Sequence, residues 1–161
     1  MQTQWSPLLR LSISDSFFEE ELLQHEAQIS KTRSALGSTP LHFAVIGQNV
    51  DTLTFLLTRA PVDSTNFYLE TPLHWACRVG NPDIVSILIE NGADVNFRDS
   101  EGNTSLHWAN QEENPHIAKI LKNAGADPNI RNIDKLLPNE VKRSPKRFPL
   151  PSIWHKLPFS L

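Results

Sequence analysis

The sequence predicts an all-helical protein: a solenoid of stacked helix–loop–helix units with short β-hairpin loops between them. Three observations predict it. A phrase built on Thr-Pro-Leu-His occurs three times, as Thr39-Pro40-Leu41-His42-Phe43-Ala44, Thr71-Pro72-Leu73-His74-Trp75-Ala76 and Thr104-Ser105-Leu106-His107-Trp108-Ala109. The steps between copies are 32 and 33 residues. A trailing phrase repeats as well: Gly92-Ala93-Asp94-Val95-Asn96 matches Gly125-Ala126-Asp127-Pro128-Asn129, and Arg59-Ala60-Pro61-Val62-Asp63 is a version one residue shorter. A fixed period of this length means stacked supersecondary units, and it points to binding rather than chemistry.

Each element of the unit follows from its residues. Threonine is a good helix N-cap, and proline fits directly after it, where its missing N–H is not needed. Leu73 and Ala76 lie three apart and share one helical face, and Ala76 is small enough for a second helix to come close. Gly80 breaks the first helix, and Asn81-Pro82 opens the second. The same opening recurs as Asn49-Val50-Asp51-Thr52-Leu53 and Asn114-Pro115-His116-Ile117-Ala118. Ile84, Val85, Leu88 and Ile89 give the second helix an apolar stripe, and Asn91-Gly92 ends it. A polar hairpin, residues 99–103, leads to the next threonine.

These residues closely resemble the ankyrin repeat family over residues 37–132, which read as three repeats. The resemblance implies projecting hairpins and a concave face, made by hairpin tips and first helices, that binds other proteins. It implies no catalytic residue. The flanks read as worn repeats. Residues 1–36 are either a degenerate N-terminal repeat, opened by Ser6-Pro7-Leu8-Leu9, or a single capping helix. Residues 133–142 are a partial C-terminal repeat in which Leu137-Pro138-Asn139-Glu140-Val141 would begin a first helix. Ser144-Pro145 then blocks continuation, and residues 143–161 form a proline-rich basic tail, predicted irregular.

Departures from the pattern weaken particular joints. Ser105 replaces the capping proline, and Gln48 and Glu113 stand where the middle unit has Gly80. Lys135 replaces the glycine before the last phrase. The array is therefore expected to be marginal and to fray first at its C-terminal side.

Composition excludes several classes. Apolar residues make up 39% and charged residues 20%, which fits an ordered chain. The longest apolar run is far too short to span a bilayer, and the N-terminus lacks the pattern of a signal peptide. Cys77 is the single cysteine, so no internal disulfide forms, and an intracellular, reducing setting is the natural reading: cytoplasmic, with nuclear access left open. It follows the small Ala76, which places it in the core rather than at a reactive centre. His42, His74 and His107 share one place in successive units, where the ring would bond the capping threonine or the neighbouring hairpin backbone. Their spacing matches no compact metal signature, and the chain contains no phosphate-binding or nucleophile motif. The expectation is no enzyme, no cofactor and no metal.

Charge divides the chain. Residues 135–161 hold six basic side chains and one acidic one, while the whole chain stands at −3, so the repeat body is acidic. An acidic body argues against nucleic acid and for a protein partner with a basic segment. Phe43, Trp75 and Trp108 share one slot and are expected to pack between first helices. Phe67 and Tyr68 differ, standing at a hairpin tip where the next unit has Ser100 and Glu101. Phe67 either reads a partner or leans on the preceding hairpin. Carried over one repeat at a time, the family's partner-reading places are Phe67, Tyr68, Glu70, Arg78 and Val79 in the middle unit. In the next unit they are Ser100, Glu101, Asn103, Gln111 and Glu112, and in the first clear unit Ala35, Leu36, Ser38, Ile46 and Gly47.

The expected function is a non-enzymatic protein-interaction module, an adaptor or small inhibitor acting as a monomer. A second reading comes from the tail. Leu137-Pro138-x-Glu140-Val141 is similar to the opening of an F-box, and Phe148-Pro149-Leu150-Pro151 is similar to the cullin-contacting end of the suppressor-of-cytokine-signalling box. Either would make the chain a substrate-recruiting adaptor of a ubiquitin ligase. Lys142-Arg143-Ser144-Pro145-Lys146-Arg147 is a solvated basic cluster, with nuclear import as the alternative reading.

Overall fold

Six helices of seven to nine residues form three helix pairs in a computed structural model that describes residues 23–142. The first pair is α1 (Pro40–Gly47) and α2 (Val50–Leu57), the second α3 (Pro72–Val79) and α4 (Pro82–Glu90), and the third α5 (Ser105–Gln111) and α6 (Pro115–Asn123). Within each pair the helices pack on one another, and α1, α3 and α5 pack side by side in a row. Leu41, Ala44, Leu73, Ala76, Leu106 and Ala109 are fully buried between those first helices. The second helices contribute Leu53, Leu56, Ile84, Val85, Leu88, Ile117 and Leu121 to the same continuous core.

The starts of the helices are the starts that the sequence predicts. Thr39, Thr71 and Thr104 take extended backbone at the N-cap of each first helix. Asn49, Asn81 and Asn114 cap the second helices by accepting backbone N–H bonds through their side chains. The ends are less uniform. Gly80 closes α3 at φ +83°, and Gln48 and Glu113 take the same left-handed turn at +52° and +56°. A residue with a Cβ pays about 1–2 kcal/mol there, so both joints are strained as well as atypical in sequence.

Ser105 weakens the third unit in a second way. Its hydroxyl is buried and lacks a hydrogen-bond partner of ordinary geometry, with only the buried Cys77 thiol near it. Pro40 and Pro72 fill the same place without any such group, and Thr104, at ψ 170°, already has the extended backbone that must precede a proline. Ser105→Pro is therefore expected to stabilise the protein by about 1–2 kcal/mol. Calorimetry should show the midpoint several degrees higher; a fall would mean that the thiol contact outweighs the orphaned hydroxyl.

Two expectations change. Residues 137–141 do not begin a helix: residues 138–140 form only a turn, with the Leu137 backbone N–H donating to the Glu140 carboxylate at 2.7 Å. No partner helix is present among the described residues to bury an apolar face there. The hairpins also contain no β-strand among the described residues, because each bonds its neighbour through a single backbone link. At the other end, Ile29 is buried in the core at the place of Val95, just after a 3-10 turn at Glu26–Gln28. Residues 1–22 and 143–161 lie outside the described residues, and with them the choice between a worn repeat and a capping helix and the expected form of the tail.

Candidate functional site: the hairpin tips

One edge of the array is built by four hairpins with one hydrogen-bond plan. Ser34, Asn66, Asp99 and Asn132 each donate a backbone N–H four residues ahead, to Ser38, Glu70, Asn103 and Leu136 in turn. The side-chain oxygen of each accepts a backbone N–H from that same fourth residue, at 2.9–3.0 Å. Successive tips are joined by Phe67 N–H to the Leu36 carbonyl, Ser100 N–H to that of Tyr68, and Ile133 N–H to that of Glu101, at 2.8–3.1 Å.

Histidines fasten hairpins to helices. The backbone N–H of Thr39, Thr71 and Thr104 donates to Nδ1 of His42, His74 and His107 at 3.0–3.2 Å. Nδ1 is therefore an acceptor, and the proton sits on Nε2. Nε2 then donates to the next hairpin: His42 to the Glu70 carbonyl at 2.9 Å, His74 to those of Phe97 and Asn103 at 3.1 and 3.3 Å, and His107 to that of Leu136 at 3.2 Å. Burial lowers all three pKa values, that of His42 to about 4. These rings are scaffold. Cys77 is fully buried, and burial pushes its thiol well above its ordinary pKa. No group of three His, Cys, Asp or Glu side chains placed to hold a metal occurs among the described residues.

The tryptophan slot shows an exchange that the sequence reading missed. Trp75 Nε1 donates to Glu70 at 2.8 Å, and Trp108 Nε1 donates to Asp99 at 3.0 Å. The same carboxylate oxygens accept the amide N–H of Asn66 and of Asn103. The acid ends one hairpin and begins the other, with the amide at the opposite place. Where the slot holds Phe43, which has no N–H, the hairpin carries Ser34 and Ser38 instead. Trp108 is buried, and the Trp75 ring stands edge-on to His42 and Phe43, at 4.9 and 6.4 Å between centroids.

The ten carried-over residues of the second and third units separate into three groups. Asn103 is buried inside the hairpin stack, donating to Asp99 and Glu101 and accepting from Asn132 at 2.9 Å. Glu70 and Arg78 pair at 3.4 Å with side chains only 13% and 11% exposed, and the Arg78 guanidinium covers the Trp108 ring at 4.7 Å. Those three side chains are engaged in holding the edge together. Val79 is half-buried against the core, and Glu101, Gln111 and Glu112 are half-buried as well. Phe67, Tyr68 and Ser100 are exposed at the tips. The Phe67 ring lies against Gly37 of the preceding hairpin, so close that a Cβ there would sit 2.6 Å from it, yet Phe67 remains 74% exposed. The ring thus leans on the preceding hairpin and still leaves most of its surface open. Exposed Leu36, Leu69 and Ile133 extend the apolar line, and Leu69 and Ile133 were outside the predicted set.

Comparison with known proteins matches this geometry. A family model described as ankyrin repeats in three copies covers residues 61–132, and a second, described as ankyrin repeats in many copies, covers residues 20–57. The chain belongs to the ankyrin repeat family. Ankyrin arrays are protein-interaction modules, and no helix among the described residues of this one is long and apolar enough to cross a membrane. The chain is 33% identical over 152 residues to the transient receptor potential cation channel subfamily V member 5 of Mus musculus, a match to 62% of this chain and 21% of the channel. It is 40% identical over 86 residues to the ankyrin repeat and SOCS box protein 11 of Danio rerio, covering 53% of this chain and 29% of that protein. Identity to the palmitoyltransferase Hip14 of Drosophila melanogaster is 42% over 66 residues, covering 40% and 10%. The chain therefore spans less than a third of each of these relatives.

Proposed function

We propose that the chain is a non-enzymatic ankyrin adaptor or small inhibitor, monomeric and intracellular, that captures a protein partner along its hairpin tips and first-helix ends. The observation that carries this reading is the apolar line Leu36, Phe67, Tyr68 and Leu69, exposed on hairpins whose inner hydrogen bonds are already made. Ser100, Glu101, Gln111 and Glu112 supply a polar, acidic flank. The partner that fits is a segment with an apolar anchor beside basic residues, steered by charge and held by the aromatic tip.

Affinity purification followed by mass spectrometry identifies the partner, and the pair Tyr68→Ala and Glu101→Ala tests the site. Each tip change is expected to weaken capture by about 10- to 100-fold, while the helical circular dichroism stays unchanged. Undiminished capture would remove the tips from the site.

A second reading is favoured by the match to a SOCS box protein, together with the tail phrase Phe148-Pro149-Leu150-Pro151. In it the chain recruits a substrate to a ubiquitin ligase. The hairpin through Leu136 completes the His107 bond, and Pro138 is buried, so a truncation should begin after Lys142. Loss of cullin or elongin components from a pull-down on that truncation would support the adaptor reading.

A further inference from the structure

We infer that the step Asn91-Gly92, at the end of α4, is a site of spontaneous modification, where asparagine becomes aspartate or isoaspartate at a rate set by the opening of that helix's last turn. The residue that closes the second helix is Thr58 in the first unit, Asn91 in the second and Ala124 in the third. Arg59, Gly92 and Gly125 follow in turn. The second unit alone sets a side-chain amide beside a glycine nitrogen, and the chain has no other Asn-Gly step. Glycine has no Cβ to shield that nitrogen, and its backbone turns freely enough to close on the side chain before it. Both residues are exposed. Apart from the chain neighbours, nothing lies within 4 Å of where a Gly92 Cβ would stand, so no packed group hinders the closure.

The chemistry needs only water, and asparagine is among the thermolabile residues. The Gly92 nitrogen gives up its proton to hydroxide and attacks Cγ of Asn91. The new C–N bond closes a cyclic imide and the Cγ–Nδ2 bond breaks. The departing nitrogen takes a proton from water and leaves as ammonia. Water then opens the imide at either carbonyl. Attack at the side-chain carbonyl leaves aspartate. Attack at the main-chain carbonyl leaves isoaspartate, in which the backbone runs through the side chain.

The fold restrains this reaction by engaging both groups. Asn91 Nδ2 donates to the Ile87 carbonyl at 2.8 Å, and the Gly92 backbone N–H donates to the Ile89 carbonyl at 2.9 Å. Ring closure breaks both bonds, so it waits on opening of the last turn, and helix ends of this exposed kind open locally. The product does not restore the turn. A carboxylate at this place sets an acceptor against the Ile87 carbonyl, and it adds negative charge beside Glu90 at a helix C-terminus, where the dipole disfavours it. Isoaspartate also lengthens the main chain just before Ala93 and Val95, which are buried in the core. Between them stands Asp94, whose backbone N–H donates to the Asp63 carboxylate of the preceding unit at 3.2 Å. The change therefore falls on the joint between the first and second units, and a less stable array acquires it sooner.

Peptide mass mapping of the full chain, after incubation at mildly alkaline pH, tests the site. Conversion is expected at Asn91 well ahead of Asn123, which is also exposed near the end of its helix but precedes alanine. Conversion at Asn91 no faster than at Asn123 would overturn the site. In urea beyond the unfolding midpoint, Asn91 is expected to convert several-fold faster than in the native chain; equal rates would overturn control by the turn. Asn91→Asp supplies the charge alone, and Asn91→Gln keeps an amide while cyclising far more slowly. The urea midpoint of Asn91→Asp is expected below that of Asn91→Gln. Equal midpoints would overturn the weakening of the joint by the new carboxylate.

Discussion

Replacing His74 with leucine is expected to remove about 3–5 kcal/mol of stability, which for an array of this size means a midpoint lower by 10 °C or more. The ring is completely buried and serves four groups at once. It accepts from the Thr71 backbone N–H at 3.0 Å and lies 2.9 Å from the Thr71 hydroxyl, and it donates to the carbonyls of Phe97 and Asn103. Leucine fills much of the volume and bonds none of them. A buried polar group left unpaired costs about 1–3 kcal/mol, and several are left together. The loss should not remain local, because repeats are stabilised by their interfaces and this ring joins the second unit to the third. His116, exposed near the start of α6, is the internal control: His116→Ala should change stability by less than about 0.5 kcal/mol. Urea titrations of both variants check the contrast. Equal effects would mean that the ladder is incidental to the fold.

The ladder was legible in the sequence because the phrase, the period and the residue type coincide at His42, His74 and His107. The same holds for the threonine and asparagine caps and for the apolar faces of all six helices. The missing helix at residues 137–141 was legible only in part. Its capping phrase keeps the proline as Pro138 but has Leu137 at the threonine's place and Asn139 at the leucine's, and a short helix is stabilised mostly by its packing partners.

The site was legible only in part. The positional rule puts Phe67, Tyr68 and Ser100 at places that the structure exposes. The same positional rule also nominated Asn103, Glu70 and Arg78, which close hydrogen bonds within the edge. Position gives direction, whereas engagement depends on what stands opposite. One signal would have helped: Ser34, Asn66, Asp99 and Asn132 recur at the repeat interval, and the acid and amide trade places only in the two hairpins that face a tryptophan. Leu69 also carried a readable signal, as an apolar residue at the glycine place of the hairpin.

Acid should unfold the array well before its carboxylates are fully protonated. Burial holds the pKa of His42 at about 4, against 6.5 in the unfolded chain. The Glu70 carbonyl, which favours the charged ring, opposes this only in part. Burial also lowers His74, against the pull of Asp99 and Glu70, and lowers His107. A histidine with a depressed folded pKa contributes its stability fully above pH 6.5. Below that value the unfolded chain binds protons that the folded chain refuses, so stability falls as pH falls towards the folded pKa. Each such ring contributes a slope of up to about 1.4 kcal/mol per pH unit, and the window of His42 alone is worth on the order of 3 kcal/mol. Asp63 works the other way at the acid end. Burial raises its pKa, so the folded state keeps a proton that the unfolded state releases, which offsets part of the histidine loss there. Urea midpoints measured from pH 7.5 to 4.5 should hold level above 6.5 and then fall, with between one and three protons taken up on unfolding near pH 5. Protonating Nδ1 would set a donor against the threonine N–H, and it would also place a charge on a ring that burial keeps neutral. A midpoint that stays level from pH 7 to 5 would mean that the folded rings take up protons as readily as the unfolded ones, and burial would not be holding them neutral.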